Sequence, residues 1–277
     1  MIENTHYIDF EEVVKERLPH KKIPHPAFLF LKKVLNIDNF NKMFAALSDK
    51  TNLEFMDGVM DYLNINVTVF GKENLDKNDV PTIFASNHPL GAMDAVTIGH
   101  VLGGIHGNKI KFYANEFLNE LKPVKEMFLP IHKYGSQSRT NVETVNLFFE
   151  SDNHLITFPA GATSRMRKNG LQDLIWHKNF IQKSVQYQRD VVPLYFKAQN
   201  SRFFYTLQRI RERLRLKVNI EMIFLASELF KQRGSHYTLY IGKPIPWQTF
   251  DKSKTPLQWA AWVREKSYEL PKENNNN

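Results

Sequence analysis

Two short stretches hold the residues whose types and spacing suit chemistry. In Asn87-His88-Pro89-Leu90-Gly91-Ala92-Met93-Asp94 an imidazole is followed by a carboxylate, with the five residues Pro89 to Met93 between them. A histidine can move a proton near neutral pH, and a carboxylate beside it can orient the ring and offset the charge that forms. Pro89 fixes φ and Gly91 allows left-handed backbone or a close approach, which gives the turn a set shape. In Phe158-Pro159-Ala160-Gly161-Ala162-Thr163-Ser164-Arg165 a glycine turn, two hydroxyls and a guanidinium suit an oxyanion. Successive N–H groups can cradle such a group and an arginine can grip it at two points. Each stretch also has a bland reading, a surface turn with solvated side chains. Together they form an ordered pair, a base and then an anion cradle.

Each stretch follows an apolar run, at 82–85 and 154–158. A strand that stops in a polar turn before a helix is where open α/β sheets put their ligands. The helix after the first stretch is expected from Ala92 to about Leu102. Upstream, residues 8–19 read as a short amphipathic helix, and Pro26 opens a second as a first-turn proline should. Asp38 suits the cap of a third helix with Phe40, Met43, Phe44 and Leu47 on one side, and 51–63 reads as a fourth. From Asn64 the period becomes two, as Ile65, Val67 and Val69 alternate with Asn66 and Thr68. Further strands are expected at 109–114, 154–158, 191–196 and 237–242, with a brief apolar run at 127–131. Helices are expected at 116–121, from Ser138 or Thr140 to Phe149, and at 172–187, 203–216, 219–232 and 254–270. Strands alternating with helices imply an α/β fold, a mixed and largely parallel sheet flanked by helices. The expected organisation is an amphipathic helical segment at 1–60, an α/β domain at 61–270 and a disordered tail at 271–277.

Composition narrows the partners. The 277 residues are 42% hydrophobic, enough for a sizeable core without staples, and the absence of cysteine excludes disulfides and thiolate chemistry. A net charge of +8 favours anionic partners such as lipid head groups or phosphorylated carriers. The polar start is no secretory signal, and no apolar run reaches the ~20 residues that span a bilayer. The chain is therefore expected to be soluble or to lie on a membrane surface. The Phe- and Leu-rich first fifty residues, with Lys21, Lys22, Lys32 and Lys33, suit either a lipid interface or packing on the core. Arg209, Arg211, Arg213 and Arg215 suit docking to an acidic membrane or carrier, or a solvated face; no nucleic-acid module is recognisable. The ten histidines show no metal-ligand spacing, so no metal is expected, and His100 and His106 read as structural. There is no Gly-x-Ser-x-Gly elbow and no glycine-rich nucleotide loop.

The ordered pair resembles the glycerolipid acyltransferase family, the lysophosphatidate-acyltransferase (PlsC-like) superfamily. Asn87, His88 and Asp94 match its first motif, Phe158-Pro159-Ala160-Gly161 its third and Val192-Pro193 its fourth, while Ile241-Gly242-Lys243-Pro244-Ile245 looks like its closing strand. Three departures stand out. The usual spacing puts four residues between His and Asp, where this chain has five. Ala160 replaces the glutamate of the third motif. For the arginine of the second motif only His132-Lys133 and, farther on, Arg139 are available. The His-Pro-Leu-Gly and Phe-Pro-Ala-Gly forms, with Ser164-Arg165, are similar to a branch of haemolysin-like proteins and of O-acyltransferases that finish ornithine and glycine lipids.

The resemblance implies a bacterial enzyme of phospholipid or aminolipid biosynthesis, peripheral on the cytoplasmic face of the inner membrane. An acyl group would move from a thioester of acyl carrier protein or coenzyme A, a co-substrate with no other cofactor, to the hydroxyl of a lyso-lipid. His88 would take the proton and Asp94 would hold the ring. Backbone near Gly161, with Ser164 and Arg165, would hold the oxyanion or the acceptor's anion, and Lys133 or Arg139 would add to that site. Asn87, Gly91, Phe158 and Pro159 complete the two loops. Two alternatives stay open: a 1-acylglycerol-3-phosphate acyltransferase proper, or a non-catalytic lipid-binding protein on the same fold. The second is suggested by Ala160, and a His88 and Asp94 too far apart to hydrogen-bond would favour it.

Overall fold

The computed structural model describes residues 8–17, 24–75, 79–115, 121–131, 139–216 and 219–273. In chain order its strands are β1 (Asn66–Phe70), β2 (Ile83–Ser86), β3 (Ile110–Asn115), β4 (Phe128–Ile131), β5 (His154–Thr157), β6 (Arg165–Arg167), β7 (Gly170–Gln172), β8 (Val191–Lys197) and β9 (His236–Ile241). Seven of them make one sheet in the order β1-β9-β8-β2-β5-β3-β4, and β6 and β7 form a separate hairpin. Every neighbouring pair in the large sheet is parallel except β8 and β9. The α/β fold with a mixed, largely parallel sheet is therefore the one observed.

The middle strands are covered on both faces, which is why they read as continuous apolar runs. Ile83 and Ala85 of β2, Leu155 of β5 and Val191 of β8 belong to one apolar cluster. Phe84, Ile156, Val192 and Leu194 belong to the other. Alternation along a strand divides the two faces. The first cluster is completed by Phe148 and Phe149 of α6 (Arg139–Glu150), Phe180 and Ile181 of α7 (Asn179–Tyr187), and Trp259 and Val263 of α10 (Pro256–Glu273). The second takes Met43 and Phe44 from α3 (Ile37–Ala46), Phe55, Met56 and Val59 from α4 (Asn52–Tyr62), and Met93, Ile98 and Leu102 from α5 (Ala92–His106). Ahead of these lie α1 (Phe10–Arg17) and α2 (His25–Val34), joined by a ring contact between Phe10 and Phe28.

Three expected elements differ. Gly170 at φ +98° turns the chain back so that Arg165 pairs with Gln172 and Arg167 with Gly170. The helix expected from 172 consequently starts only at Asn179, after a loop that buries Asp173 and Trp176. The stretch 219–232 is a tight turn at Ile220–Phe224 followed by α9 (Leu225–Lys231). Residues 271–273, expected in the tail, extend α10, and 274–277 lie outside the described residues, as do 116–120 of the short helix expected at 116–121. The brief apolar run at 127–131 supplies β4.

Candidate active site

Because β2 and β5 are parallel neighbours with Ile83 opposite Leu155 and Ala85 opposite Thr157, their carboxyl ends open side by side. His88 follows the end of one and Phe158 the end of the other. This juxtaposition brings together two loops that are remote in sequence. The ring of His88 stacks on Phe158 with centroids 4.2 Å apart and planes at 25°. Its Nδ1 lies 2.8 Å from Oδ2 of Asp94. The oxygen sits off the ring N–H axis, so the two groups are within reach but not aligned, and catalytic contacts of this kind tighten when substrate binds.

Asp94 stands in the first turn of α5 and is fully buried. Its carboxyl group also accepts the backbone N–H groups of Leu90 (3.0 Å) and Gly91 (3.0 Å). Burial pushes this carboxyl upward from its ordinary value, while His88 and the two N–H groups pull it back toward the anion. The helix N-terminus favours the anion as well. Gly91 has φ +87°, and a Cβ there would lie 2.7 Å from a methyl of Leu225, so the turn needs glycine twice over.

The loop that carries His88 is tied down on both sides. Asn87, expected at the substrate, instead pegs the loop to β8: its Nδ2 donates to the Phe196 carbonyl (3.0 Å) and its Oδ1 accepts the Phe196 N–H (2.6 Å). Ser164 N–H donates to the His88 carbonyl (2.8 Å). Its hydroxyl donates to Oδ1 of Asp173 (2.5 Å), which also accepts the backbone N–H of His88 (3.2 Å). Trp176 Nε1–H fills the other oxygen at 2.8 Å. Asp173 is thus a buried clamp across both loops. Asp173 lies where a helix is expected, and in the sequence only the tryptophan three residues later hints at a buried loop.

Arg165 does not offer its guanidinium to an anion from outside. It is 5% exposed and pairs with Glu221 at 3.3 Å, as does Arg211 at 2.9 Å, and Glu221 is fully buried. A carboxylate from a distant turn holds both arginines in place, and nothing at 165 in the sequence announces it. Gly161 (φ +63°) donates its own N–H to the Phe158 carbonyl, closing the turn that exposes Ala162 and Thr163 to the cavity described below. Pro159 carbonyl accepts the His177 N–H. Ala160 is buried in the cluster that contains Trp176 and Phe180, where a glutamate would lose its hydration among apolar side chains. Lys133 lies outside the described residues; Arg139 opens α6, and its side chain is not described.

His88, Phe158, Gly161 and Thr163 all line one cavity of about 1040 Å³. This is at the top of the ~300–1,000 Å³ usual for ligand pockets. Ile37, Phe40, Phe44, Leu225 and Leu229 make one wall of it apolar.

A second polar cluster lies apart. Asp79 Oδ1 is 2.6 Å from Nδ1 of His106 and 3.0 Å from Nε2 of His154, with Lys109 on its other oxygen at 2.9 Å. The three side chains are close enough together for a metal ion. The protons argue otherwise: Thr82 N–H points at Nδ1 of His154 (3.3 Å), so that nitrogen accepts and Nε2 must donate to Asp79. Burial, and then the neighbouring His106, lower the His154 pKa from 6.5 to about 4. Between those values an unfolded chain takes up a proton that the native protein refuses. Stability is therefore intact above pH 6.5 and falls, by up to about 3 kcal/mol, as pH drops toward 4. Urea titrations at pH 7 and pH 4.5 should show this loss, and His154→Asn, whose Oδ1 can still accept from Thr82, should flatten it. An unchanged slope in that variant contradicts the assignment.

The sequence profile of a family described as Acyltransferase matches residues 12–276. The lyso-glycine lipid O-acyltransferase of Bacteroides thetaiotaomicron is 42% identical over 265 residues, spanning 95% of this chain and 97% of that protein. The protein of the same name from Phocaeicola vulgatus is also 42% identical, covering 95% of each. Among solved structures, the 1-acyl-sn-glycerophosphate acyltransferase PlsC of Thermotoga maritima superposes with a TM-score of 0.50 at 17% identity, over 95% of this chain and 88% of that one, a likeness of fold. With a histidine–aspartate pair in the loop and helix start that follow β2 and this match over nearly its whole length, the chain belongs to the acyltransferase family.

Proposed function

We propose that the protein acylates a lyso-glycine lipid at a membrane surface, taking the acyl group from a thioester of acyl carrier protein or coenzyme A. The observation that carries this reading is the His88–Asp94 pair in the wall of a large, mostly apolar cavity, in a chain 42% identical to lyso-glycine lipid O-acyltransferases. His88 takes the proton of the acceptor hydroxyl as its oxygen attacks the thioester carbonyl, and Asp94 holds the ring and offsets its charge. The acceptor is itself the nucleophile, so no serine or cysteine is required. Collapse of the tetrahedral intermediate expels the thiolate, which takes back the proton from His88. The backbone at Ala162 and Thr163 serves the developing oxyanion, a role supported by their place in the cavity lining beyond the turn closed by Gly161.

The membrane part of the reading rests on the cavity rim. Among the described residues no helix is long and apolar enough to cross a membrane. Leu29 and Phe30 of α2 are 50% and 59% exposed beside Lys32 and Lys33. The helix α8 (Arg202–Arg213) exposes Phe203 and Ile210, and Leu214 follows it. Phe203 packs on Phe224 and Ser227 donates to the Val34 carbonyl, so α2, α8 and α9 share one neighbourhood beside cavity residues Leu35 and Leu225. Greasy side chains among cations suit an anionic bilayer.

The test presents lyso-glycine lipid and lysophosphatidate side by side in anionic vesicles, with either thioester, and reads products by mass spectrometry. Diacyl glycine lipid should form, on vesicles that sediment with the protein. Product from lysophosphatidate alone would overturn the acceptor assignment, and activity without sedimentation would overturn the surface one.

A further inference from the structure

The cavity is also lined by polar side chains that nothing in the reaction so far explains. Its lining includes Asn146 of α6, His177, and Asn179, Gln182, Lys183 and Gln186 along α7. Among the described residues that line the cavity there is no aspartate, glutamate or arginine, and Lys183 is the one with a permanent charge. No described carboxylate pairs with it. Its ammonium donates to Gln186 Oε1 at 3.2 Å and lies over the rings of Tyr187 (5.1 Å) and Phe149 (5.7 Å). Burial lowers its pKa from the ordinary lysine value, the mark of a cation short of compensating charge. The position is also fixed relative to the chemistry. His177 N–H is bonded to Pro159, next to the Phe158 that stacks on His88, and α7 starts two residues later, so Lys183 stands about one turn inside the helix.

We propose that Lys183 is the cation of a substrate anion subsite, with Asn146 and Gln182 as its neutral hydrogen-bonding neighbours. The ligand chemistry is an oxyanion carried by one of the two reactants. On the acceptor proposed above it is the glycine carboxylate; on the thioester donor it is a phosphate. This inference rests on the acyl-transfer reading for its choice of ligands. It assigns the cationic role that Arg165, held by Glu221, does not fill.

Equilibrium binding without turnover tests it, by calorimetry on the full chain with lyso-glycine lipid, its carboxylate-masked methyl ester and palmitoyl-CoA as separate probes. Lys183→Met should weaken binding of one anionic probe about 10- to 100-fold, and Lys183→Arg should restore most of it. Loss confined to lyso-glycine lipid, with the methyl ester unaffected, identifies the acceptor carboxylate; loss confined to palmitoyl-CoA identifies the donor phosphate. Thermal melting of the methionine variant at the wild-type midpoint separates the loss from misfolding. Wild-type affinity of the methionine variant for every anion that the wild type binds would overturn the subsite. Failure of the acyl-transfer reading shows separately, as no diacyl product from the wild type.

Discussion

Replacing His88 with alanine is expected to lower kcat by about 10²- to 10⁴-fold, the span a positioned general base contributes. The melting midpoint should shift by only a few degrees, because the lost contacts are one ring stack on Phe158 and one polar pair. Asp94→Asn should fall in the same range by releasing the ring from its working tautomer. It should also cost stability, since Asp94 accepts two backbone N–H groups at the start of α5. The double variant should be no slower than His88→Ala alone, because both side chains serve one proton transfer. Single-turnover rates with a bound thioester measure all three. A His88→Ala protein that keeps a tenth of the wild-type rate would remove the mechanism.

The second large effect belongs to Asp173. Truncation to alanine leaves the Ser164 hydroxyl, the His88 N–H and the Trp176 indole N–H without their acceptor in a buried place. At about 1–3 kcal/mol for each orphaned donor, a loss of about 3–5 kcal/mol in unfolding free energy is expected after partial relaxation. Asp173→Asn is the more telling variant. It keeps one acceptor oxygen but turns an amide NH₂ toward a donor, so the protein should fold while the two loops shift apart. We expect kcat to drop at least tenfold, with KM nearly unchanged, since the side chain acts on the placement of His88 and not on the substrate. Ser164→Ala, which spares the bond to the His88 N–H, should show a milder version. A folded Asp173→Asn protein with wild-type kcat would reduce the residue to a purely structural one.

These residues differ in how visible they are in the sequence. His88 and Asp94 are legible because helix α5 and its own first turn bring them together, so spacing alone suffices. The large sheet is legible for a related reason: buried parallel strands leave apolar runs such as Ile83-Phe84-Ala85. Asp173, Glu221 and Lys183 are not legible. Each acts across a long loop, on a partner at His88, on Arg165 and Arg211, or in a cavity wall, and no local pattern encodes such a pairing. The misplaced start of α7 has the same origin, since Leu171 and Gln172 follow a helical period until Gly170 diverts them into a hairpin. Arg165 is illegible for the same reason: its type suggests an anion, while Glu221, the carboxylate that holds it, is remote in sequence.

One consequence follows from how unevenly the loops are moored. Asn87 fastens the His88 loop to the sheet and Asp173 fastens it to its neighbour, both through side-chain hydrogen bonds, whereas Phe40 and Leu229 reach the cavity from the apolar cluster. The machinery and the upholstery are thus separable. Under the acyl-transfer proposal, trimming or thickening that upholstery is expected to change the preferred fatty-chain length while His88 and Asp94 stay as they are.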